Sequence, residues 1–204
     1  MYIPSYFKNE NLEEVKNFLM ANSFGILINQ TKGKITGTHI PLELDKDEKG
    51  DDVLVGHISK ANPQGESFKT NEDILAIFNG PNAYVSSSWY EKENVPTWNY
   101  IAVHIYGKIR IIEGDELYDS LKKLVDKYEV NSENPVSMEK MSSEMLRQIN
   151  GIVGFSIKIN EIQAAYKLSQ NRNTSDYHNI VDKLENREDP LSKEVANTMK
   201  KRRQ

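Results

Sequence analysis

The residues best suited to chemistry lie between positions 83 and 100, in Ala83-Tyr-Val-Ser-Ser-Ser-Trp-Tyr90 and Val95-Pro-Thr-Trp-Asn-Tyr100. This stretch carries three consecutive serines, three tyrosines and the only two tryptophans of the chain, Trp89 and Trp98. Hydroxyls beside flat rings can hold an aromatic ligand with a polar tail. Strand alternation would put Ser86 and Ser88 on one face and Ser87 on the other. The same pattern also reads as a strand end and turn with ordinary aromatic packing, and pattern alone favours that plainer reading.

Two further clusters carry cations next to hydroxyls and amides. His57-Ile-Ser-Lys-Ala-Asn62 places Ser59, Lys60 and Asn62 at the end of a strand, where a loop can take a phosphate. Lys167-Leu-Ser-Gln-Asn-Arg172 packs Lys167, Gln170 and Arg172 into six residues, able to close over a phosphate or to cap a helix. A flavin suits such parts. Its ring offers apolar faces and an edge of acceptors, and its ribityl phosphate needs hydroxyls, N–H donors and a cation.

Other chemistries find less support. The chain has 204 residues and no cysteine, which removes disulfides, thiolate metal sites and cysteine nucleophiles. The four histidines, His39, His57, His104 and His178, are scattered without metal-ligand spacing. There is no Gly-x-Ser-x-Gly elbow, no Walker loop and no outstanding carboxylate pair, so no catalytic residue is assigned. A net charge of -4 gives no global field to attract nucleic acid. No apolar run is long enough for a membrane helix, and the N-terminal residues lack a secretion signal. These features predict a soluble cytoplasmic protein with no membrane partner.

The elements that must position these residues change character halfway along. Asn11 is a helix cap answered by Glu14, with Leu12, Val15, Phe18 and Leu19 as the apolar face. Strands are expected at Gly25–Asn29, Ile35–Leu44, Val53–Ile58, Asp73–Phe78, Ala83–Ser87 and Ile101–Ile112. The first two form a hairpin, Pro41 belongs at an edge or bulge, and Gly107 marks a bend. Leu117, Leu121, Leu124, Val125 and Tyr128 then line one helical face, and Met138, Met141, Met145, Leu146 and Ile149 another. Ile152–Ile159 alternates as a strand returning to the sheet. A final helical segment starts at Asn173, and Asp189-Pro190 opens its last helix. Closely spaced strands with few helices between them predict an antiparallel barrel with α additions.

The ordered series Met1-Tyr-Ile-Pro, Thr38-His-Ile-Pro-Leu42, Gly56-His57, Ala61-Asn-Pro63, Gly80-Pro-Asn-Ala-Tyr84, Ser86-Ser-Ser-Trp-Tyr90, Val95-Pro-Thr-Trp-Asn-Tyr100, Ile152-Val-Gly-Phe155 and Lys167-Leu-Ser-Gln-Asn-Arg172 resembles the PaiB family of FMN-binding negative transcriptional regulators. The resemblance runs from residue 1 to about 172. It implies a mainly β, α+β split barrel over residues 1–172, with flanking helices and a C-terminal helical extension over 173–204. It also implies FMN as cofactor, a homodimer, and repression of sporulation and degradative-enzyme genes, directly on DNA or through another regulator. On the superfamily pattern, Ser59, Lys60 and Asn62 fall where phosphate contacts are usual. Ser86, Ser87, Ser88, Trp89, Lys167, Gln170 and Arg172 fall in further contact regions, with His57 and Trp98 beside them. A flavin-dependent oxidoreductase, or a barrel that binds or degrades haem through a histidine, stays open as an alternative.

Overall fold

A computed structural model describes residues 1–70 and 73–203. Its strands form one seven-stranded antiparallel sheet in the order β2-β1-β5-β6-β7-β4-β3. The strands are β1 (Phe24–Thr31), β2 (Lys34–Pro41), β3 (Glu43–Lys46), β4 (Asp52–Ser59), β5 (Asp73–Val85), β6 (Thr97–Ile112) and β7 (Ile152–Lys167). The helices are α1 (Leu12–Ala21), α2 (Gly114–Glu129), the single turn α3 (Ser143–Leu146), α4 (Thr174–Glu185) and α5 (Pro190–Arg202). Among the described residues no helix is long and apolar enough to cross a membrane.

The chain divides into two compact units. The first comprises Met1–Phe18, Phe78–His104 and Gln163–Gln204; the second comprises Leu19–Ile77 and Ile105–Ile162.

In the second unit, β1 and β2 form the expected hairpin, paired from Phe24↔Pro41 to Thr31↔Lys34. Its two-residue loop, Lys32-Gly33, has positive φ at both positions (51° and 77°), which matches the twist of the flanking strands. Pro41 ends the edge strand β2, where no ladder donor is needed. The expected strand Ile35–Leu44 is in fact two, because Leu42 is fully buried and its N–H donates to the Ser23 carbonyl. β4 pairs with β7 from Val53↔Lys158 to Ser59↔Ile152, as the alternation of Ile152–Ile159 suggested.

The methionine-bearing stretch is not one helix. It breaks into a 3-10 turn at Met138–Lys140, then α3, then a second 3-10 turn at Arg147–Gly151. Ser142 accepts the Met145 N–H at 3.3 Å and restarts the chain as a local cap, which competes with a continuous helix. Met138 is buried and Met145 is 56% exposed, so the methionines do not share one face.

The expected strands Asp73–Phe78 and Ala83–Ser87 are not separate: residues 73–85 form a single strand, β5, and Ser86 and Ser87 lie beyond its end. Asn79-Gly80-Pro81 does not interrupt it; Pro81 is buried and Gly80 lies against the Phe18 ring. Asn11 caps α1, its Oδ1 accepting the Glu14 N–H at 3.2 Å. The Glu14 carboxylate does not complete the capping box; it takes Asn9 Nδ2 and the Arg202 guanidinium instead. Asn173 and Asp189 cap α4 and α5, and the apolar sides of both helices are buried.

Candidate functional site

The twelve residues singled out from sequence fall into both units. In the second, His57, Ser59, Lys60 and Asn62 end β4 and enter the turn beyond it. Burial holds the His57 imidazole below its usual pKa, so it is neutral at pH 7. The turn is tied by its own polar groups. Asn62 N–H donates to the Ser59 carbonyl at 2.9 Å, Ser59 Oγ accepts the Ala61 N–H at 3.2 Å, and Lys60 N–H donates to the Gly151 carbonyl at 2.9 Å.

Both ends of the Asn62 amide are engaged, accepting the Gln64 N–H and donating to Thr38 Oγ1, each at 3.0 Å. The Lys60 ammonium is exposed and, among the described residues, has no carboxylate partner. It stands at a cleft of about 910 Å³ whose walls include Asn62, Leu117, Tyr118, Ile149 and Val153. That volume lies within the range of small-molecule sites.

In the first unit, the serines are not a strand. Ser86 caps a 3-10 turn, Ser87–Trp89, yet Ser86 Oγ and Ser88 Oγ still meet at 2.9 Å through the turn. The two tryptophans have different partners. The Arg187 guanidinium lies 4.7 Å from the Trp89 ring centroid, and Asn179 Nδ2 donates to the Trp89 carbonyl at 2.6 Å. Trp98, 53% exposed, meets Tyr84 edge-on at 5.9 Å.

The third cluster is the most unusual electrostatically. Lys167 ends β7, and its half-buried ammonium donates to Thr97 Oγ1 and lies 5.9 Å from the Phe7 ring centroid. Burial, and then the charge of Arg172, push its pKa down. The Arg172 guanidinium lies 4.8 Å from the Tyr90 ring centroid. Among the described residues no carboxylate forms a salt bridge with either cation, and the buried Tyr90 hydroxyl has no hydrogen-bond partner. Two cations, one of which lowers the pKa of the other, form a donor set that suits an anionic oxygen group such as the phosphate of FMN.

Gln170 is occupied within the turn, accepting the Leu168 N–H at 2.7 Å and donating to the Tyr166 carbonyl at 2.6 Å. Tyr90 and Thr97 stood inside the motifs quoted from sequence without being chosen. Phe7 gave no signal, because nothing in the local pattern at the N-terminus announces a partner 160 residues away.

Comparison with known proteins agrees with this chemistry. Residues 1–161 match the family model described as "Putative FMN-binding domain". The chain is 50% identical over 201 residues to the Bacillus subtilis "Protease synthase and sporulation protein PAI 2", covering 98% of this chain and 96% of that one. Among solved structures it is similar to the flavocytochrome Anf3 of Azotobacter vinelandii (TM-score 0.63, 17% identity, 87% and 78% of the two chains). It is also similar to the FAD and haem binding protein of Mycobacterium smegmatis (TM-score 0.61, 13% identity, 79% and 73%). At such identities the structural likeness establishes the fold, that of the split barrels, and nothing about activity. The match across most of the chain, together with the half-identical relative, makes this protein a member of the PaiB family of FMN-binding domains.

Proposed function

We propose that the protein is an FMN-dependent regulator acting as a cytoplasmic homodimer, a negative transcriptional regulator of the PaiB type. The observation that carries the reading is the unneutralised Lys167–Arg172 pair. FMN, when bound, supplies a ring whose charge changes on reduction. The residues proposed to serve its binding are His57, Ser59, Lys60, Asn62, Ser86, Ser87, Ser88, Trp89, Trp98, Lys167, Gln170 and Arg172. Lys60, Lys167 and Arg172 receive its negative charge. Asn62 and Gln170 act through the turns they tie. The relative's name, which joins protease synthesis to sporulation, supports the regulatory role.

Titration of the apo-protein with FMN tests the cofactor reading. Arg172→Ala and Lys60→Ala should each weaken FMN binding about tenfold, the scale of one charge-assisted hydrogen bond. Riboflavin, which lacks the phosphate, should bind both variants as it binds the wild type. Lys167 adds a pH signature. Its pKa is lowered in the ligand-free fold, so FMN affinity should fall as pH rises through that value and the ammonium loses its proton. A Lys167→Met variant should lack this fall. Equal FMN affinities across the variants would remove the assignment. Retention of a sporulation or protease promoter fragment at physiological salt, sensitive to FMN, is expected of the regulator; retention of no fragment would end the direct-DNA form of the proposal.

The homodimer is supported by the outer face of the β1–β2 hairpin. Phe24, Ile26, Ile28 and Gln30 pair with Pro41, His39, Gly37 and Ile35, a face without Lys, Arg, Asp or Glu. Phe24 is 66% and Ile35 75% exposed. Charge depletion of this kind marks the core of obligate interfaces. Light scattering should give twice the chain mass for the wild type and a shift toward monomer for Ile35→Glu. A monomeric wild type would exclude the dimer.

A further inference from the structure

We propose that Asn99 is the positioning residue of the Lys167–Arg172 turn, holding Ser169 in a left-handed backbone conformation and thereby fixing the two cations that receive the charge of FMN. This rests on the FMN reading above.

Ser169 has φ of 58°, a conformation that residues other than glycine adopt only when their surroundings impose it. It lies between the two cations in sequence, two residues after Lys167 and three before Arg172. The turn closes on it, since the Arg172 N–H donates to the Ser169 carbonyl at 3.0 Å. Gln170 ties the turn on either side, but the bond made by Ser169 itself runs to Asn99. Ser169 Oγ donates to Asn99 Oδ1 at 3.0 Å, with Ser169 3% and Asn99 0% exposed.

Asn99 is itself held. It belongs to β6, and its Nδ2 points to the Met199 Sδ of α5 at 3.5 Å. The Met199 carbonyl accepts the Tyr177 hydroxyl of α4 at 2.7 Å. The acceptor is thus built into a strand and backed by two helices, a rigid support for a strained turn. Without it, the buried Ser169 hydroxyl loses its acceptor, φ relaxes to negative values, and the Arg172 N–H loses its carbonyl. Both cations then shift relative to each other. Asn99 makes none of this through ligand contact; it acts through Ser169.

The test uses the wild type, Asn99→Ala, Ser169→Ala, Ser169→Gly and the double variant Asn99→Ala with Ser169→Gly. FMN affinity and amide hydrogen exchange across residues 168–172 are measured on each. Asn99→Ala and Ser169→Ala should each weaken FMN about tenfold, the loss of one buried hydrogen bond, and speed exchange at Arg172. Glycine adopts positive φ without help. Ser169→Gly alone should therefore stay near wild type, and the double variant should regain most of both signals. A purely structural Asn99 would leave the double variant as weak as Asn99→Ala, and that result overturns the proposal. Unchanged affinity and exchange in both alanine variants overturn it as well. If Asn99→Ala does not fold, Ser169→Ala decides, with Ser169→Gly as its control. Failure of the wild type to take up FMN sinks the FMN reading instead, and the exchange arm alone then judges the hold of Asn99 on the turn.

Discussion

Gly107→Ala is expected to lower the stability of the protein by about 3 kcal/mol, the upper part of the usual range for forcing atoms into a packed interior. Gly107 is buried in β6. A Cβ there would stand 2.3 Å from the Lys158 carbonyl oxygen and 2.8 Å from Ile157 Cγ2. The oxygen belongs to the backbone of β7, the strand next to β6 in the sheet, so no rotamer change clears it. The strands must part, and their ladder hydrogen bonds lengthen. Gly37→Ala is the internal control. Its Cβ would meet Ile26 Cγ2 at 3.6 Å, an ordinary contact, and the change should be nearly neutral. For a chain of this length the difference corresponds to roughly 6–12 °C in Tm. Equal melting midpoints for the two variants would show that β6 and β7 do not approach as described.

Gly107 also shows where sequence reading is blind. From local pattern the glycine reads as a bend, since glycine inside a strand run has two common causes and sequence does not separate them. Its cause here is a neighbour fifty residues away. Gly80-Pro81 misleads in the same way, being strand rather than turn. The hairpin at Lys32-Gly33, the caps at Asn11, Asn173 and Asp189, and the alternation of β7 were legible because the physics that sets them is local. The split of the second strand at Leu42 was not, because burial of that side chain depends on the whole unit.

The candidate site divides along the same line. The types needed for an anionic aromatic ligand were visible as three motifs, and the family match agrees with the chemistry they suggested. Their geometry was not visible. Ser86 and Ser88 meet as expected, but through a 3-10 turn rather than a strand face. Asn62 and Gln170 looked like ligand groups and spend their amides tying turns. The depressed pKa of Lys167 arises from burial and from Arg172, five residues on, and neither effect has a sequence signature. Asn99 lies inside a quoted motif, yet its partner Ser169 is seventy residues away.

Gln64→Met should destabilise the second unit by about 3–5 kcal/mol, the range for breaking a buried network and leaving polar groups unpaired. Gln64 is fully buried. Its Nε2 donates to the Leu27 carbonyl at 3.0 Å and to Asn29 Oδ1 at 2.7 Å, and its Oε1 accepts from Thr38 Oγ1. Ser67 Oγ donates to the Gln64 carbonyl at 2.9 Å and in turn accepts from Asn29 Nδ2. Thr38 also accepts from Asn62 Nδ2 at 3.0 Å, which joins the network to the Ser59–Asn62 turn. Methionine nearly matches glutamine in length and shape, so packing changes little. What disappears is the donor to the buried Leu27 carbonyl and Asn29 Oδ1, and at 3.5 Å to the Thr36 carbonyl, together with the acceptor for the half-buried Thr38 hydroxyl. Thr38→Val removes a single, half-buried member and should cost about 1–2 kcal/mol, because Gln64 and Asn62 then lose one partner each and keep the others. Urea unfolding read by circular dichroism checks the order Gln64→Met, Thr38→Val, wild type. If Gln64→Met unfolded at the wild-type midpoint, water would have to reach the Leu27 carbonyl and Asn29, and the turn that carries Lys60 would be held without the Gln64 side chain, by its backbone bonds and by Ser59 and Asn62.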